Sequence, residues 1–144
     1  MKSVKVRDYM ATRLVTFQPN TNVVQAMDQF LKHAISGAPV VDGEGMLVGI
    51  LSEVDLMQVV VQDSYYDESV GIVSDYMRTD VDTIEVDMDI YTLAEKFIKE
   101  HRRRYPVTSK GKLVGQISRR DVLRAAEEFL QKEKKRKPRR ATLR

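Results

Sequence analysis

The chain has 144 residues, 42% apolar and 31% charged, which suits one compact domain or two small, mutually dependent halves. No apolar run approaches the roughly 18 residues of a membrane helix, the opening MKSVKVRDYM lacks the apolar stretch of a secretory leader, and zero cysteines exclude disulfides and thiolate metal sites, so the cytoplasm is the expected compartment. The net charge of +3 hides an asymmetry: residues 131–144, QKEKKRKPRRATLR, hold eight Lys or Arg and one Glu, leaving a mildly acidic body with 16 basic and 20 acidic groups.

In chain order, the first recurrent feature is Asp8-Tyr9-Met10, whose Asp-Tyr-Met returns at Asp75–Met77. A short strand is expected at LVTF, then a helix with Val23, Met27, Phe30, Leu31 and Ala34 at helical spacing behind the capping candidates Thr21 and Asn22. A hairpin follows: APVV, a turn at Asp42-Gly43-Glu44-Gly45, and MLVGIL. A second helix is expected to begin at Ser52, and the polar QDSYYDES reads as part of a linker. The pattern then repeats. VDTIEV is a strand, and Ile90, Leu93, Ala94, Phe97, Ile98 and His101 form the next helical stripe after Asp89. YPVT, a turn at Lys110-Gly111, and LVGQI make the second hairpin, and a last helix opens at Ser118. The expected division is repeat 1 at residues 1–62, a linker at 63–74, repeat 2 at 75–130 and a basic tail at 131–144. The fold class is α/β (α+β): two β-α-β-β-α repeats packed sheet to sheet about a pseudo-twofold axis, with two related clefts between them. A half of about 65 residues has a marginal core alone.

The sharpest repeat is GILSEVD at 49–55 against GQISRRD at 115–121. Ser-x-x-Asp ahead of an apolar helical run is a capping box, and that alone accounts for the pattern in one copy. The Gly marks a tight packing position in a strand. The same geometry also suits a ribonucleotide. A helix start presents free N–H groups to an anion, a hydroxyl reaches a phosphate or sugar oxygen, and a carboxylate accepts from two neighbouring hydroxyls. The Ser is free to cap while the Asp turns outward.

Carrying this motif twice, together with the segments VTF and DTI and the strands GAPVV and YPVT, the chain resembles a tandem pair of CBS (cystathionine β-synthase) domains, a Bateman module, over roughly residues 4–130. The resemblance implies regulation through adenosine ligands, with Ser and Asp on ribose and phosphate and backbone groups on adenine. The first cleft would then use Thr16, Phe17, Ala38, Pro39, Ser52 and Asp55. The second would use Thr83, Ile84, Tyr105, Pro106, Ser118 and Asp121. Arg103 and Arg104 precede the second Pro where the family often carries phosphate-binding residues, while the first repeat has Ser36 and Gly37; Arg119 and Arg120 stand where it has Glu53 and Val54. Arg suits phosphate through its planar fork, although a run of Arg also suits a solvated helix end. The second cleft is the favoured site.

The expected function is an adenosine-nucleotide sensor (AMP, ADP or ATP, with or without Mg²⁺) that changes conformation or assembly to control a partner protein; the resemblance also implies a homodimer. The alternative is a nucleic-acid-associated protein gripping phosphate through its basic tail. The tail has no aromatics to stack bases. An enzyme is not expected: there is no Cys nucleophile, Gly-x-Ser-x-Gly elbow or Walker loop, and Asp55 and Asp121 belong to separate copies. No metal site is expected either. His33 and His101 read as helix-end residues, and Asp80, Asp82, Glu85, Asp87 and Asp89 lack the spacing of a calcium loop.

Overall fold

The computed structural model describes residues 4–66 and 70–136. Its helices are α1 Val23–His33, α2 Glu53–Tyr66, α3 Ile90–Glu100 and α4 Arg119–Arg136; its strands are β1 Gly37–Val41, β2 Leu47–Ser52, β3 Ile84–Glu85, β4 Arg104–Ser109 and β5 Lys112–Ser118. β1 and β2 form an antiparallel hairpin, and β4 and β5 form its counterpart, with β3 parallel to β4. Among the described residues no helix is long and apolar enough to cross a membrane.

Both leading helices start and stop as short polar signals dictate. Asn22 caps α1 by accepting from Val24 N, and Asp89 caps α3 by accepting from Tyr91 N and Thr92 N. Each ends on a left-handed residue, Ala34 and His101 respectively. Their inner faces bury Val23, Ala26 and Phe30, and Ile90, Leu93 and Phe97. Four positions of the expected stripes depart from it: Leu31 and Ile98, equivalent in the two repeats, are 83% and 75% exposed, and the capping residues Ala34 and His101 are exposed as well. They fall in the last turn, where the chain is already leaving the core.

Two further expectations are corrected. LVTF is not a strand: only Phe17 pairs, donating its N–H to Pro39 O and accepting from Val41 N. VDTIEV shortens to Ile84–Glu85. Helix α2 ends at Tyr66, so its last turn takes in the first residues of the 63–74 segment. The last helix continues into the basic tail as far as Arg136; the remainder of that tail, 137–144, lies outside the described residues.

The two hairpins meet at Met46 and Lys112, which pair antiparallel, with Leu47 N donating to Gly111 O and Leu113 N to Gly45 O. These are equivalent positions of the two repeats, so the pair marks the pseudo-twofold axis. The Asp-Tyr-Met segments cross that axis. Val6, in a turn of 3-10 helix at Val6–Asp8, is fully buried in the core of the second repeat with Ile84, Leu93, Tyr105 and Ile117. Val73, in the matching turn Val73–Asp75, is buried in the first with Phe17, Phe30 and Leu51. Ala11 exchanges backbone bonds with Gln116, and Arg78 with Ile50. Each marginal half thus completes its core with a segment belonging to the other copy.

Candidate functional site

Both Ser-x-x-Asp corners are reciprocal capping boxes. Ser52 ends β2, and its Oγ accepts from Asp55 N at 3.2 Å; Asp55 Oδ2 accepts from Ser52 N and from Ser52 Oγ, each at 2.8 Å. Ser118 and Asp121 repeat this at the end of β5, at 3.2, 2.8 and 3.0 Å. The aspartate therefore does not turn wholly outward as expected. One oxygen satisfies the orphan N–H at the helix start, and only Oδ1 faces away. There it meets a cation: Arg78 Nε lies 3.6 Å from Asp55 Oδ1, and Arg124 Nη2 lies 3.1 Å from Asp121 Oδ1. Arg124 also donates to Tyr9 O at 3.2 Å, tying the crossing segment to the corner.

Sheet register gathers the rest of each expected set along one edge. Gly37 pairs with Ser52, Ala38 with Leu51 and Pro39 with Ile50, while Phe17 joins the far side of the same hairpin. In the second repeat Arg104 pairs with Ser118, Tyr105 with Ile117, Pro106 with Gln116 and Ile84 with Val107. Phe17, Ala38, Pro39, Ile84, Tyr105 and Pro106 are buried, so these positions offer a ligand backbone groups only. Thr16, Ser52, Thr83, Ser118 and Asp121 keep side-chain surface, whereas Asp55 is almost fully buried.

The charge asymmetry is built by the same register. Arg119 N donates to Arg103 O at 3.1 Å, which lays Arg103 and Arg104 beside Arg119 and Arg120 at the start of α4. All four are exposed, and among the described residues none has a carboxylate within ion-pair distance. The equivalent bond in the first repeat, Glu53 N to Ser36 O at 3.0 Å, brings together residues with no positive charge. Sequence reasoning passed over Arg78 and Arg124. The available signals were weak: Arg78 follows the second Asp-Tyr-Met where the first is followed by Ala11, and Arg124 lies one helical turn beyond Asp121.

Behind the second hairpin sits a polar cluster. Lys96 Nζ lies 3.1 Å from Asp82 Oδ2 and 2.7 Å from Glu100 Oε2, and the fully buried Tyr105 donates its hydroxyl to Glu100 Oε1 at 3.0 Å. The Lys96 ammonium holds the Glu100 carboxyl down at about 2. Burial, reinforced by the bond to Glu100, pushes the Tyr105 phenol up to about 12. The acidic residues around it have separate partners: Asp87 pairs with Arg7 and Asp89 caps α3. Among the described residues no group of three or more His, Cys, Asp or Glu is placed to hold a metal ion.

Two hollows flank these elements. One, of about 250 Å³, lies between the repeats and is lined by Leu47 and Val48 of β2 and by Thr79, Val81, Thr83, Glu85, Thr108 and Gly111. The other is an open groove of about 870 Å³ between the Val15–Gln18 segment and α1, lined in part by Thr16, Phe17, Asp28 and Gln29. Neither is lined by the Ser-x-x-Asp residues.

Comparison with known proteins agrees with this architecture. The CBS domain family model matches twice, at residues 6–62 and 73–128. CBSX2 of Arabidopsis thaliana, solved in complex with AMP, superposes with a TM-score of 0.75 at 28% identity, covering 88% of this chain and 98% of that one. The CBS domain pair of protein MJ0100, solved with 5-methylthioadenosine and S-adenosyl-L-methionine, gives 0.68 at 25% identity over 85% and 99% of the two chains. The A-adding tRNA nucleotidyltransferase of Aquifex aeolicus is 33% identical over 129 residues, 90% of this chain but only 15% of that enzyme.

Proposed function

The chain belongs to the CBS domain family, and from that premise we propose that it is a regulatory module, not a catalyst, which binds an adenosine nucleotide and answers with a change of conformation or assembly. The observation that carries the proposal is the unequal pair of corners. Both present a Ser-Asp cap at the end of a sheet edge, but only the second sets four unpaired arginines beside it. Asp121 Oδ1, held by an exposed Arg124, is the acceptor for ribose hydroxyls. Arg103, Arg104, Arg119 and Arg120 take phosphate through bidentate bonds. Thr83 and the backbone of Ile84, Tyr105 and Pro106 take the base. The AMP and S-adenosyl-L-methionine complexes of the two similar structures support an adenosine ligand. The first corner, with Thr16, Phe17, Ala38, Pro39, Ser52 and Asp55, is the companion site for a ligand of lower charge. Because the repeats share cores across the pseudo-twofold axis, a ligand that prefers one arrangement of the halves shifts the population of the whole module.

The test is a thermal melt with AMP, ADP, ATP, NAD and S-adenosylmethionine at millimolar concentration, with and without Mg²⁺. A ligand at 100 times its Kd stabilises by about 2.7 kcal/mol, which raises the Tm by roughly 5–10 °C at this size. A shift that is lost in Arg104→Ala supports the proposal. A flat panel removes it.

A further inference from the structure

The Lys96 cluster stands behind the 79–85 segment, which bears Thr83 and Ile84 of the proposed second cleft. Along residues 79–85 the side chains alternate: Thr79, Val81, Thr83 and Glu85 line the cavity between the repeats, whereas Asp82 reaches back to Lys96 and Ile84 is buried in the core. That is the two-residue period of extended chain. The segment has little else to fix it, since only Ile84 and Glu85 join the sheet. Its anchor is well built on the far side. Lys96 is shared between Asp82 and Glu100, lies 5.3 Å over the Tyr105 ring, and Tyr105 locks Glu100 from β4. One ammonium thus ties three elements together: the 79–85 segment, α3 and β4.

The first repeat lacks every member of this arrangement. Its equivalents of Asp82, Lys96, Glu100 and Tyr105 are Val15, Gln29, His33 and Ala38. Only a contact between His33 Nε2 and Gln29 Oε1, at 3.1 Å, remains there. The open groove beside α1 lies against Val15 and Gln29, where the second repeat has its cluster.

We infer that Lys96 is a positioning residue for the second cleft: by holding Asp82 it fixes the reverse face of the 79–85 segment and so presents Thr83 and the Ile84 backbone to an adenosine ligand. The inference rests on the proposed nucleotide binding at that cleft. It makes the second cleft pre-organised and the first adaptable, because ordering a loose segment on binding costs affinity.

The test uses the full chain and two probes, AMP and neutral adenosine, titrated calorimetrically well below the Tm, together with amide hydrogen exchange at residues 83–86. Lys96→Met is expected to weaken both probes about tenfold and to speed exchange at those amides. Adenosine matters because losing a distant positive charge does not act on a ligand without phosphate. Lys96→Arg, which keeps a cation between the two carboxylates, is expected to restore most of the affinity, and Gln29→Met is expected to leave it unchanged. Since Lys96→Met leaves two carboxylates facing each other, Lys96→Met/Glu100→Gln checks that the loss is not local unfolding, and it too is expected to bind weakly. Wild-type affinity in both Lys96→Met variants overturns the inference alone, as does weakened binding with unchanged exchange. No binding by the wild-type chain overturns the proposed function, and this inference with it.

Discussion

Asp55 and Asp121 each divide their two oxygens between structure and surface. Oδ2 accepts from the Ser N–H and hydroxyl, and Oδ1 meets an arginine. The division separates two effects that an alanine variant would merge. Asp121→Ala removes the reciprocal half of the capping box, leaving Ser118 Oγ on the N–H of residue 121, along with any ligand contact, and is expected to cost about 0.5–1.5 kcal/mol. Asp121→Asn keeps an amide oxygen for the cap but loses the charge and one acceptor. Its stability, read from urea denaturation, should therefore lie closer to wild type than that of Asp121→Ala, while calorimetric titration should show adenosine binding weakened about tenfold. Binding at wild-type affinity would reduce the corner to a cap. The spacing Ser-x-x-Asp made the capping box legible in the sequence, because N-cap geometry is set within three residues. The orientation of the free oxygen was not legible. It depends on Arg78, which arrives from the other copy, and on Arg124, whose turn-spaced position has no distinguishing chemistry until the helix is built.

At the level of elements, the glycine of the motif answers to packing rather than to ligand. A Cβ at Gly115 would stand 2.6 Å from Met10 Sδ and 2.8 Å from Ala11 O; one at Gly49 would stand 2.7 Å from Met77 Sδ and 2.9 Å from Arg78 O. Each strand bears a glycine because the segment crossing from the other repeat lies directly on it. Gly115→Ala is thus expected to destabilise the protein by about 1–3 kcal/mol through overpacking. Adding Met10→Ala should recover only part of this, since it frees the thioether contact but not the carbonyl. Full rescue in chemical denaturation would mean that the backbone does not press on the strand. The helices were legible because caps and a 3.6-residue period are local. The short strands were overread, since Phe17 pairs alone and β3 has two residues. The exchange of Asp-Tyr-Met segments could not be read at all: a repeat fixes that Val6 and Val73 are equivalent, not which copy each one packs against.

Over the whole molecule, the pseudo-twofold axis makes α2 and α4 equivalent, and both leave apolar residues in water. Met57 and Leu123 occupy the same position of the two helices and are 61% and 68% exposed; Val54 and Val61 extend the row on α2, and Leu130 extends it on α4. Inward-facing Leu56 and Val59, and Val122 and Ala125, already supply the core contacts of these helices, so the outer row has no role in the folded monomer. Exposed apolar rows on equivalent helices suit an association face, and a twofold face is self-complementary by construction. The homodimer that the family resemblance implies therefore predicts a solution mass near twice the 16.6 kDa of the chain by light scattering. Met57→Asp/Leu123→Asp should halve that mass and leave the Tm of the monomer little changed, because neither side chain packs inside. Asp is acceptable at both sites since each lies on a solvent-facing helical turn, where single polar substitutions stay within about 0.5 kcal/mol. A wild-type chain that already runs at monomer mass would remove the dimer, and a double variant that keeps the doubled mass would move the interface off α2 and α4.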